Sequence, residues 1–166
     1  MPSPSRRSRC NRSAAIRLYL LAIGRLRRGP LYDLQALYAG RIVPPVTLIE
    51  LEEKRRLPAA ELKQREAELI LSAVPPGARL VALDERGAAW TTKKLATQLT
   101  RWRADATDMA FVIGSADGLD PALKRDAAVV LALSSMTLPH GLVRVMLAEQ
   151  LYRAVSINAG HPYHRG

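Results

Sequence analysis

Five short apolar runs, separated by segments of helical period, leave few folds open to this chain. They fall at residues 17–23, 46–51, 79–83, 109–113 and 129–133. Each is apolar almost throughout instead of alternating, which is the pattern of a strand covered on both faces. Between them lie the helical segments. One spans 31–38. A second opens at Pro58 and carries Leu62, Leu69 and Ala73 on one face. A third is capped by Thr91 or Thr92 and repeats Leu95, Leu99 and Trp102. A short one opens at Pro121, and the last spans 141–156 with Leu147, Leu151 and Val155 on one face. Strands alternating with helices predict a single α/β domain with a mainly parallel sheet. With 166 residues, the chain is long enough to close one such core.

No apolar run approaches the roughly 18 residues of a membrane helix, so a spanning protein is excluded. A single cysteine, Cys10, excludes a disulfide framework and a cysteine-rich zinc site, and it points to a cytoplasmic home. The positive clue is charge. Lys and Arg number 25 against 15 Asp and Glu, a net +10. That excess speaks of partners and not of fold, and nucleic acid is the commonest polyanion a basic protein meets. Residues 1–16 hold Arg6, Arg7, Arg9 and Arg12 without an acid and predict a disordered basic extension. An upstream start codon, or no function at all, accounts for it more simply than an RNA contact. The domain proper is expected over 17–166. From Ala127 onward the only acid is Glu149, while His140, His161 and His164 all lie beyond residue 139. A cationic, histidine-bearing end is a natural place for an anionic substrate.

In parallel α/β sheets, ligands bind beyond the carboxyl ends of the strands. Three such ends carry chemistry. Leu83-Asp84-Glu85-Arg86-Gly87 is a strand end followed by a polar turn, and taken alone it reads best as a plain loop. The run from Ile113 through Gly114, Ser115, Ala116 and Asp117 to Gly118 offers tight turns and close backbone approach to a ligand. Its spacing is neither the dinucleotide fingerprint nor a P-loop. The third runs from Leu133 through Ser134, Ser135, Met136, Thr137, Leu138 and Pro139 to His140. Its main-chain groups and interspersed apolar side chains suit an adenine-type ring, although an ordinary strand-to-helix connection reads the same way. There is no nucleophile elbow, and Pro162 argues against a helical metal pair at His161 and His164.

Three strings then point to something specific. They are Thr137-Leu138-Pro139-His140-Gly141-Leu142-Val143-Arg144-Val145, Glu149-Gln150-Leu151-Tyr152-Arg153-Ala154 and His161-Pro162-Tyr163-His164-Arg165. Together they resemble the C-terminal signature of RlmH, the large-subunit ribosomal RNA pseudouridine N3 methyltransferase family of the SPOUT class. The resemblance runs from about residue 17 to the end. It implies a SPOUT-type fold with a C-terminal trefoil knot, a homodimer, S-adenosylmethionine as methyl donor, no metal, and ribosomal RNA or the ribosome as substrate. By position it assigns the donor to Leu83, Gly114, Ser115 and the residues Leu133, Ser134, Ser135, Met136, Thr137, Leu138 and Pro139. On the acceptor side, His140, His161 and His164 are candidate bases. Arg144, Arg153 and Arg165 would hold phosphates or an imide anion, and Tyr163 would stack on a base. Arg153 reads equally as an i, i+4 partner of Glu149. One departure is visible: the family carries glycine where this chain has Ser115. A positive φ there would cost of order 1 kcal/mol or more and weaken donor binding. A non-catalytic RNA-binding factor of the same fold is the alternative.

Overall fold

A computed structural model describes residues 15–165, with the side chains of His164 and Arg165 outside the description. The basic extension therefore lies, but for Ala15 and Ile16, outside the described residues, as does Cys10. Five strands form one sheet in the order β2-β1-β4-β3-β5, with every pairing parallel. They are β1 (Leu18–Ile23), β2 (Thr47–Leu51), β3 (Arg79–Ala89), β4 (Met109–Ile113) and β5 (Val129–Ala132). The helices are α1 (Pro30–Arg41), α2 (Ala59–Ala73), α3 (Thr92–Ala104), α4 (Pro121–Asp126) and α5 (His140–Asn158), followed by a 3-10 turn at Pro162–Arg165. The expected single α/β domain with a parallel sheet is present.

The two sheet faces explain why the strand runs do not alternate. Leu18, Leu20, Val81, Met109 and Phe111 face one way, packed with Leu95, Leu99 and Trp102 of α3 and Leu147 and Leu151 of α5. Tyr19, Leu21, Leu80, Ala110 and Val112 face the other way, packed with Ile70 of α2 and Leu123 of α4. Both faces are core, so both registers of each central strand must be apolar.

Strand β3 differs from expectation. The polar residues after Leu83 do not end it. Leu83 and Ala88 both pair with Leu131, so the residues between them are extruded from the ladder as a bulge. Gly87 permits the return. A Cβ there would lie 2.7 Å from the Val130 carbonyl oxygen and 2.8 Å from the Leu131 nitrogen. Among the described residues, no helix is long and apolar enough to cross a membrane.

Candidate functional site

Strand order makes the site. Strand β3 lies between β4 and β5. The chain leaves β4 toward α4 on one face of the sheet and leaves β5 toward α5 on the opposite face. Loops departing in opposite directions open a crevice over the carboxyl end of the strand between them. That crevice has a volume of about 690 Å³, within the range of small-molecule sites.

Most of the positions suggested by the sequence meet there. Leu83 forms its base, Gly114 and Ser115 one wall, and Leu133, Ser134, Met136, Thr137, Leu138 and Pro139 the other. Ser135 is exposed and does not line it. The extruded Asp84-Glu85-Arg86 segment, the first of the three strand ends read from the sequence, also lines it. Two contacts hold that segment in place. Lys124 Nζ donates to Asp84 Oδ2 at 2.8 Å, and Thr137 Oγ1 donates to Glu85 Oε2 at 3.0 Å. Burial pushes the Asp84 carboxyl up, but the bond from Lys124 and that from the Arg86 N–H outweigh it, and its pKa is lowered.

The wall formed by Gly114–Gly118 is built on its own backbone. The Gly118 N–H donates to the Ser115 carbonyl at 2.9 Å, and Gly118 takes a φ of 78°. A Cβ on Gly114 would lie 2.9 Å from the Gly118 carbonyl carbon, so the glycine serves close approach within the loop. Ser115 has no positive φ; among the described residues only Ala106 does so without being glycine. The expected strain at Ser115 is therefore absent. Its hydroxyl instead donates to Glu66 Oε2 of α2 at 2.9 Å. Glu66 is buried, and that burial raises its pKa, with the nearby Asp117 adding to the effect and the Ser115 bond opposing it.

His140 opens α5 at the crevice edge. Its Nε2 is, among the described residues, the buried side-chain nitrogen left without a hydrogen-bond partner. Burial and then the Arg144 charge lower its pKa, against opposing contributions from the Gly114 backbone and Glu50. The imidazole is thus held neutral and carries one polar atom unsatisfied.

Arg144 does not face a polyanion. It is fully buried, its Nε donates to Gln35 Oε1 at 2.8 Å, and its terminal nitrogens reach the Gly24 carbonyl and Glu50. All its donor sides are engaged by α1, the end of β1 and β2, so a direct phosphate or substrate role is corrected to a structural one.

The tail is also anchored. The Tyr163 hydroxyl donates to Glu149 Oε1 at 3.1 Å, and its ring packs 4.7 Å from Tyr152, with the Arg153 guanidinium 5.0 Å over it. Burial first, then bonds to Tyr38 and Glu149, raise the Tyr163 pKa. These contacts hold the ring against α1 and α5. Arg153 forms the i, i+4 pair with Glu149. His161 is exposed and its Nδ1 accepts from the Tyr163 N–H. Glu149 lies nine residues along α5 from His140, about 13 Å of helical rise. Among the described tail residues, His161 and Tyr163 do not line the crevice. The side chains of His164 and Arg165 lie outside the described residues.

Comparisons with known proteins give the family. A family model described as a predicted SPOUT methyltransferase matches residues 16–164. The ribosomal RNA large subunit methyltransferase H of Rhodospirillum centenum is 55% identical over 151 residues, covering 90% of this chain and 99% of that one. That of Burkholderia cenocepacia is 53% identical over 156 residues, with the same coverage. A solved ribosomal RNA small subunit methyltransferase E from Neisseria gonorrhoeae, bound to S-adenosyl methionine, overlays at 13% identity with a TM-score of 0.45, covering 87% of this chain and 66% of that one. By the first three of these matches, the chain belongs to the SPOUT methyltransferase family, among the relatives of the ribosomal RNA large subunit methyltransferase H proteins.

Proposed function

We propose that the protein methylates N3 of a pseudouridine in large-subunit ribosomal RNA, using S-adenosylmethionine and acting as a homodimer. The observation that carries this reading is the crevice over β3 in a chain of this family. Its residues fit a nucleoside-bearing donor: apolar walls from Leu83, Leu133 and Leu138, main chain on two sides, and a buried unsatisfied nitrogen on His140. When bound, S-adenosylmethionine supplies a methyl group activated by its sulfonium.

The protein's own residues do the rest. The bulge at Asp84–Arg86 and the loops after β4 and β5 fix the position of the reacting partners, which converts an encounter into an oriented step. His140, neutral at pH 7, takes the proton that the acceptor nitrogen gives up, at Nε2. Arg144 acts through His140 and not on the substrate. It ties the start of α5 to β1 and β2 and holds His140 in register.

A dimer completes the site. Leu34 and Leu37 of α1 and Leu142 of α5 are 40%, 44% and 38% exposed, on two helices that pack together. They form an apolar face suited to a second copy. The partner's tail, with its His161, His164 and Arg165, would then close over this crevice. Ser115 takes no positive φ, so no backbone strain there counts against donor binding.

The test uses labelled donor and ribosomes from a strain lacking the modification, followed by mapping of the methylated nucleotide. Label at a pseudouridine N3 of the large subunit is expected. Label elsewhere, or none with donor bound, overturns the reading. Light scattering at working concentration tests the dimer, and a clean monomer refutes it.

A further inference from the structure

A second cavity, of about 410 Å³, opens beside the first. Leu131 and Leu133 at the end of β5 line both cavities, one wall serving two rooms. Its other boundaries are Trp90 after β3, Thr92 at the start of α3, and Met146 and Gln150 of α5. We infer that this cavity takes a nucleobase of the RNA strand next to the acceptor nucleotide. The inference rests on the function proposed above and adds a subsite to it.

Three observations favour that occupant. The first is the floor. Thr92 Oγ1 donates to Gln150 Oε1 at 2.7 Å, and Gln150 Nε2 donates to Glu149 at 2.8 Å. Each amide atom retains capacity for one more bond: Oε1 has a second lone pair and Nε2 a second hydrogen. An adjacent donor and acceptor are what a base edge presents. The second is the wall. Trp90, Leu131 and Met146 give flat and pliable apolar surface, on which any base packs without regard to its identity. The third is the rim. Lys94 Nζ stands 5.3 Å from the Trp90 ring centre, and Lys93 and Lys94 are both exposed. The Lys94 ammonium beside the Trp90 wall suits a phosphate that flanks a base. A second copy of the chain is a poorer occupant, because the apolar face at Leu34, Leu37 and Leu142 answers that need while this floor is polar.

The test compares full-length wild type with Met146→Trp, which fills the cavity, and Lys94→Glu, which reverses charge at the mouth. A glutamate in the first turn of α3 suits the helix dipole, so this variant keeps the fold. Methyl transfer to ribosomes lacking the modification is measured alongside donor binding by calorimetry. Each variant is expected to raise KM for ribosomes about tenfold, a change typical of losing one base contact, with kcat and donor affinity within about twofold. Unchanged KM in both variants overturns the inference. So does a shift of Met146→Trp to monomer in light scattering, since the cavity would then seat a second copy. Should wild type transfer no methyl group, the proposed function fails. Fluorescence anisotropy with a short labelled mixed-sequence RNA still reads the cavity: weaker binding by both variants supports the subsite, and equal binding refutes it.

Discussion

Replacing Arg144 by methionine tests how the start of α5 is held. The side chain is 0% exposed, and the substitution abandons three acceptors: Gln35 Oε1, the Gly24 carbonyl and Glu50. Breaking one side of a buried ion pair costs about 3–5 kcal/mol. Here the lower end applies, because the Glu50 side chain is 30% exposed and keeps the Leu26 N–H at 2.8 Å. Gln35, only 1% exposed, is left with an unsatisfied oxygen that adds about 1 kcal/mol. The expected loss is about 3–4 kcal/mol in urea unfolding followed by circular dichroism at pH 7. Glu50→Gln and the double variant complete a cycle, with a coupling of about 1 kcal/mol or more. Arg144→Lys should recover little, since one ammonium cannot span the three acceptors of a planar fork. The gap between wild type and Arg144→Met should narrow in acid. Although burial pushes the Glu50 carboxyl up, the Leu26 N–H and Arg144 hold it below the usual glutamate value. Its contribution is therefore present above that value and lost as pH falls through the lowered one. A loss under about 1 kcal/mol, or strictly additive losses, refutes this account.

Three further outcomes are expected. Gly87→Ala drives a Cβ into the β5 backbone at 2.7–2.8 Å, so it should cost about 1–3 kcal/mol and weaken donor binding by displacing Leu131; calorimetry showing wild-type donor affinity would separate the bulge from the site. Glu66→Gln should melt higher than wild type at pH 8, with the difference closing toward pH 4: the raised Glu66 pKa means that stability is lost as pH rises from the ordinary glutamate value through the raised one, and a lower melting point at pH 8 would overturn it. The acid limb of kcat should lie below the ordinary histidine pKa, because burial and Arg144 lower that of His140; a limb above it, or one unchanged in His140→Gln, would remove His140 as the base.

What the sequence made legible follows from the range of the forces involved. Strand β4 spans Met109–Ile113, as its apolar run indicates, and Leu95, Leu99 and Trp102 are all buried on α3. These are local patterns. Strand order is not local, so the placement of β3 between β4 and β5, which creates the crevice, had no signal in any one segment. The bulge was hidden for a different reason. Asp84-Glu85-Arg86-Gly87 has the composition of a turn and lies out of the ladder like one, yet Ala88 and Ala89 resume pairing with β5. The two buried charges did leave a trace. Arg144 stands at i−3, i−4 and i−7 from Leu147, Ala148 and Leu151, and Glu66 at i+4 from Leu62 and i−4 from Ile70. A charged residue on an apolar stripe predicts a buried pair more readily than a ligand contact.

Charge distribution leads to a final expectation. The chain carries +10, yet the crevice draws on Asp84, Glu85 and Asp117 against Lys63, Arg86 and Lys124, a balanced set. Lys124 is moreover paired with Asp84. Among the described residues the excess positive charge therefore lies outside the crevice, where the exposed Lys93 and Lys94 are within reach of a polyanion. Donor binding and RNA binding should then separate by salt. If about five phosphates are neutralised, raising salt from about 50 to 200 mM lowers RNA affinity on the order of a hundredfold or more. Donor affinity in a locally neutral crevice should move by less than about twofold over the same range. Calorimetry with S-adenosylmethionine and anisotropy with labelled RNA measure the two directly. Parallel salt slopes would show that both ligands meet the same charges, and the division of labour between crevice and surface would be wrong.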